Sequence, residues 1–141
     1  MISFYHVSAS DLPGRLAIGE TDEGVDLLAK MDIVEMAPDV VRVVLDGRLD
    51  AAGVDEIELR FTASIAPAER HAVIDLGAVT FVSSLGIRML LTIARTLLRR
   101  GRKTVLLNPQ PSVMTVFETT ALGTLIPITI DETEALAIAQ G

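Results

Sequence analysis

The strongest constraint on the fold is a set of short, apolar runs separated by stretches with helical spacing. "VVRVVL", residues 40–45, is β-branched and almost wholly apolar, as a strand covered on both faces would be. "HAVIDL", residues 71–76, reads as a second buried strand, and "GAVTFV" continues it after a glycine kink. "KTVLLN", residues 103–108, reads as a third. Between the first two, residues 51 to about 64 place Val54, Ile57 and Phe61 on one helical face, with Asp50 positioned to cap it and Gly53 weakening its start. Between the second and third, a helix from Ser84 to about Arg100 carries a stripe of Ile87, Leu90, Leu91, Ala94, Leu97 and Leu98. Arg95, Arg99 and Arg100 crowd its far end, where cations suit the helix dipole, and Gly101 stops it.

The flanking segments fill out the order. "DIVEM" is strand-like and "PDV" turns after it, while "DGRLD" reads as a turn around Gly47. "PQPSVMTVFETTAL" predicts a helix with Val113, Val116 and Phe117 inward, ended by Gly123. "LIPITI" predicts a last short strand, and "DETEALAIA" a last helix capped by Asp131. Strands and helices therefore alternate, which predicts an α/β fold: a parallel or mixed sheet of about four to six strands with helices packed on it. Residues 1–31 are richer in Pro, Gly, Ser, Asp and Glu and form an N-terminal extension. A strand at residues 2–7 and a turn of helix at residues 25–31 are its possible elements. It is a candidate arm against the domain, residues 32–141, or against a second subunit in a homodimer.

Composition narrows the function. Half of the 141 residues are hydrophobic, so one domain can bury a real core. The formal net charge is −7, which opposes binding to nucleic acid and to anionic membrane surfaces. No cysteine is present, excluding disulfides and thiolate chemistry, in keeping with a cytoplasmic protein. No apolar stretch reaches the ~18–20 residues of a membrane span, and no secretory signal pattern opens the chain.

Enzyme motifs are missing. There is no phosphate-binding GxxxxGK[ST] loop, no GxGxxG, and no GxSxG elbow around Ser84. His6 and His71 are the only histidines; His71 opens a strand and reads as a turn residue. No His, Asp or Glu cluster has metal-ligand spacing, and no cofactor is indicated. Asp46, Asp50 and Asp75 read as cap or turn residues.

What remains is an order of parts: "LDGRLD", a helix, "VIDLGAVTFVSSLGI", then "GRKTVLLNPQPSV". This order resembles the STAS domain family, as found in bacterial anti-sigma factor antagonists, over roughly residues 32–139. The resemblance implies a small mixed sheet with helices on one face. It implies a non-enzymatic regulator that binds an anti-sigma factor, itself a serine kinase, and is released by phosphorylation of a serine at the start of the second helix. A phosphatase resets it. The family's Asp-Ser-Ser/Thr-Gly falls on Ser83, Ser84, Leu85 and Gly86, so the phosphoacceptor is Ser84. Ser83 stands where Asp is usual, and Leu85 where a small hydroxyl residue is usual. Asp50, Asp75 and Asn108 match the family's polar positions after the second, third and fourth strands. Gly86 reads either as a site of close approach by a partner or the neighbouring strand, or as a tolerated helix glycine costing up to about 1 kcal/mol, and Arg88 lies one helical turn beyond Ser84. Together Asp50, Asp75, Ser83, Leu85, Gly86, Arg88 and Asn108 are the expected partner-binding set.

Two adjacent serines before a helix also have a plain reading. Serine is a strong N-cap, worth about 1 kcal/mol over alanine. The two roles are compatible, with Ser83 as the cap and Ser84 as the acceptor. Two other functions keep the fold: a non-switching STAS subunit of a lipid-transport or stress-signalling complex, and a small-ligand sensor at the Asp50, Asp75 and Ser84 end.

Overall fold

The computed structural model describes residues 29–141. The expected strand at residues 2–7 lies outside them, as does His6. The chain runs β1 (Lys30–Ala37), β2 (Val40–Leu49), α1 (Ala51–Ser64), β3 (His71–Val82), α2 (Ser84–Arg99), β4 (Thr104–Leu107), α3 (Pro111–Thr119), β5 (Ile128–Thr129) and α4 (Glu132–Gln140). Single 3-10 turns follow α1 at Ala66–Ala68 and α3 at Leu122–Thr124.

The five strands form one sheet in the order β1-β2-β3-β4-β5. β1 and β2 are antiparallel, with Ala37 opposite Val40 across the turn at Pro38 and Asp39. β2–β3, β3–β4 and β4–β5 are parallel, and helices make the crossovers. The alternation along β2 explains the near-continuous apolar run. Val41, Val43 and Leu45 enter the main core, while Val40 belongs to a second, smaller one. The main core holds Val54, Ile57 and Phe61 of α1, Met89, Leu90, Ile93 and Leu97 of α2, and Val113 and Phe117 of α3. Burying each large side chain there contributes ~1.5–3 kcal/mol. On the opposite face Val40, Val73, Val105 and Leu107 pack against Ala135 and Ala139 of α4. The sheet is therefore covered on both faces, not on one.

Several expectations shift. The β2 strand runs through Gly47 to Leu49 instead of turning there; Gly47 takes a φ of 105°, open to glycine, and the β2–β3 register slips on both sides of it. β3 likewise continues through Gly77 to Val82. Lys30 and Met31 are strand, and Met31 is buried in the core opposite Leu45, so the end of the expected 25–31 helical turn is not helical. In α2 Met89 and Ile93 are buried along with the expected Leu90 and Leu97, and Ile87, Leu91 and Ala94 pack partly buried against the core; Leu98 is 70 % exposed. α3 ends at Thr119, before Gly123, where Ala121 adopts a left-handed φ of 56°. Val116 is only half-buried. β5 is two residues long rather than the whole of "LIPITI".

Candidate functional site

Two helices begin side by side at the carboxyl ends of β2 and β3. Asp50 ends β2 in extended conformation and caps α1: Gly53 N–H donates to its Oδ1 at 3.1 Å. That bond, and then Arg48, hold the Asp50 carboxyl below its usual pKa. Gly53 is required here, because a Cβ would stand 2.2 Å from the Arg48 carbonyl oxygen.

Ser83 does the same for α2. Its Oγ accepts from Gly86 N–H at 3.3 Å and donates to the Leu49 carbonyl at 2.9 Å. Its backbone N–H reaches the same carbonyl at 3.0 Å. The hydroxyl is thus spent on both sides, tying the start of α2 to the end of β2. Gly86 lets this happen. A Cβ there would lie 2.8 Å from the Leu49 carbonyl oxygen, 2.9 Å from its Cβ and 2.9 Å from a Val82 methyl.

Ser84 is the first residue of α2 and is exposed. Among the described residues its hydroxyl makes no hydrogen bond. The start of α2 presents unpaired N–H groups and the positive end of the dipole, with no acidic residue in the first turn. Arg88, one turn on, is exposed and has no ion pair among the described residues. Leu85 is 39 % exposed.

Sequence reasoning missed two neighbours, Arg48 and Phe81. They face each other in the β2–β3 register. The Arg48 guanidinium sits 4.2 Å from the centroid of the Phe81 ring and 3.3 Å from Asp50 Oδ2. Phe81 is 39 % exposed. Simple alternation with the buried Val79 would have sent Phe81 inward, but the bulge adds Thr80 and leaves both residues outside. The start of α2 therefore carries an exposed Ser84 with no hydrogen bond to its hydroxyl among the described residues, followed by the half-exposed Leu85 and preceded at the end of β3 by the half-exposed Phe81.

Asp75 and Asn108 do not join this group. Asp75 lies seven residues before Val82 on β3, roughly 20 Å along the strand. It accepts from Arg42 Nε at 3.0 Å and from an Arg42 terminal nitrogen at 2.6 Å, while Gly77 N–H donates to its other oxygen at 2.9 Å. Arg42 also reaches Glu132 of α4 at 2.7 Å. Asn108, at a φ of 57°, ends β4; its side-chain nitrogen would lie 3.2 Å from a Cβ on Gly77. Asp75 and Asn108 thus meet each other across Gly77, and Asp75 is engaged in an ion pair. His71 is half-buried, and its Nδ1 accepts from Lys103 N–H at 2.9 Å. Burial lowers its pKa. Among the described residues no group of three or more His, Asp or Glu is placed to hold a metal, and no helix is long and apolar enough to cross a membrane.

The chain is similar to known proteins over most of its length. Residues 33–137 match the STAS domain. The chain is 32 % identical over 95 residues to the candidate anti-sigma factor antagonist BtrV of Bordetella bronchiseptica, a match covering 67 % of this chain and 81 % of that protein. It is 33 % identical over 101 residues to the anti-sigma F factor antagonist of Lysinibacillus sphaericus, covering 71 % and 84 %. Among solved structures it resembles the anti-sigma factor antagonist SpoIIAA in its unphosphorylated form, with a TM-score of 0.67, 26 % identity, and 79 % and 97 % of the two chains covered. The phosphorylated form of SpoIIAA, a Bacillus cell fate determinant, gives 0.59, 25 %, and 77 % and 97 %. A mixed sheet that brings two capped helix starts together, matched along residues 33–137, places the chain in the STAS domain family as an anti-sigma factor antagonist-like member.

Proposed function

We propose that this protein binds an anti-sigma factor with serine kinase activity through the surface around the start of α2, and that phosphorylation of Ser84 breaks the complex. The observation that carries the reading is the division of labour between the serines. Ser83 Oγ has both its acceptor and its donor roles filled within the fold, whereas Ser84 is exposed with its hydroxyl unengaged among the described residues. A kinase can reach Ser84 without undoing a cap.

The electrostatics favour a switch of binding over a switch of folding. A phosphoserine carries about −1.5 to −2 charges at neutral pH. At the first position of α2 it meets unpaired N–H groups, the positive helix end and Arg88 within one turn, so the fold tolerates it. On the outer surface the same charge comes next to Leu85 and three residues after Phe81, both partly exposed, where a partner would pack apolar atoms. Desolvating it there is costly. The existence of phosphorylated and unphosphorylated forms of the similar SpoIIAA supports the reading. In this scheme the chain acts in the cytoplasm by binding and not by catalysis, and a phosphatase restores the unmodified serine.

The test is incubation of the full chain with its kinase partner and ATP, followed by mapping of the phosphate by mass spectrometry. The expected result is one phosphate on Ser84 and none on Ser83. A stable complex with no phosphate on either serine would refute the switch and favour a non-switching subunit.

A further inference from the structure

A second feature lies at the other end of α2. A cavity of about 330 Å³ opens between the last turns of α2, the start of β4, the segment before β5, and α4. Leu91, Ala94, Leu98, Leu125, Ile126 and Ile138 supply its apolar lining. Leu98 and Leu125 are 70 % and 66 % exposed, an unusual cost for two large aliphatic side chains at one opening.

Three cations line the same cavity: Arg95, Arg102 and Lys103. Five of the chain's twelve cationic residues fall within residues 95–103, on a molecule of net charge −7. Arg42, Arg48 and Arg70 each have a carboxylate within ion-pair distance. Arg95, Arg102 and Lys103 have none among the described residues, although Asp39 feels the field of Arg102 from further off.

We propose that this cavity binds a single-chain amphipathic anion, a monocarboxylate with an apolar chain of roughly eight to ten carbons. Its carboxylate pairs with the cations that line the opening, Arg95, Lys103 and the guanidinium end of Arg102. Its chain lies along Leu91, Ala94 and Leu98 and leaves past Leu125. The volume suits one chain and not two: it holds on the order of ten methylene-sized groups at roughly 30 Å³ each, the share of a water. The inference does not depend on the role of Ser84.

The test is an NMR titration of the ¹⁵N-labelled full chain with decanoate, decanol and vesicles of anionic phospholipid in separate arms. Decanoate should saturate at one equivalent and shift the amides of Leu98, Thr104 and Leu125. Decanol should bind about tenfold more weakly, because it cannot replace a charge-assisted hydrogen bond. Lys103→Gln and Arg95→Gln should each weaken decanoate about fivefold or more and leave decanol unchanged. Equal affinity for decanol, or no saturable shift with decanoate, overturns the proposal. So does a response to vesicles alone.

Discussion

Replacing Gly86 with alanine opposes two effects whose sizes can be compared. At an unobstructed helix position alanine is favoured over glycine by about 1 kcal/mol. Here the added methyl would lie 2.8–2.9 Å from three atoms, one of them the Leu49 carbonyl oxygen and one the Leu49 Cβ. Neither is the free end of a flexible side chain, so α2 must back away from β2. Overpacking of this kind costs ~1–3 kcal/mol. Backing away also stretches the two bonds from Ser83 to the Leu49 carbonyl, each worth about 1 kcal/mol. The costs exceed the gain, and the net loss is about 1–2 kcal/mol, or roughly 4–8 °C in Tm for a domain of this size. With no tryptophan in the chain, urea unfolding followed by far-UV circular dichroism is the assay. A Gly86→Ala variant as stable as the parent, or more stable, would refute the tight seating of α2 on β2.

Further outcomes follow from the same geometry. Ser83→Ala should cost ~1 kcal/mol in urea unfolding and Ser84→Ala less than about 0.5, since only the first removes a cap; equal costs would contradict the division of labour. His71 has a lowered folded pKa, chiefly from burial, and its Nδ1 must stay unprotonated to accept from Lys103 N–H. The unfolded chain therefore binds the proton more readily. This contribution to stability is complete above about pH 6.5 and is lost as pH falls below it, and His71→Gln should flatten that limb; an unchanged pH profile would refute it. Arg42→Ala should destabilise by about 1–3 kcal/mol, because it leaves the largely buried Asp75 carboxylate without its cation and frees Glu132. Arg48→Ala, in an exposed pair, should cost less than about 1.

How much of this was legible in the sequence depends on whether the signal was local. The caps at Asp50, Ser83 and Asp131 were readable because a capping side chain and its target N–H lie within three residues. The extents of α1 and α2 followed from helical spacing between those caps and the next strand. The rotation of α2 was readable in part. Ile87, Leu90, Leu91, Ala94 and Leu97 of the expected stripe pack on the core, but the helix carries apolar residues on more than one face, and its spacing did not show that Met89 and Ile93 are buried and Leu98 exposed. The length of β2 and β3 was hidden for a similar reason. Gly47 and Gly77 look like breaks locally, but the pairing of the two strands carries both through as irregularities in a continuous ladder. The same irregularity exposes Phe81, so half of the apolar frame around Ser84 was invisible. Asp75 reads as a polar strand-end residue, and its ion pair with Arg42, 33 residues earlier, has no local signal in the sequence.

On the proposed reading, Ser84 is a hydroxyl at a docking surface whose modification changes binding and leaves folding intact. The most direct measurement is the calorimetric affinity of the Ser84-phosphorylated chain for its anti-sigma partner, compared with the unmodified chain. Burying the new charge should weaken the complex about a hundredfold or more, while the two forms unfold at the same urea concentration within error. Equal affinities for the two forms would contradict the account.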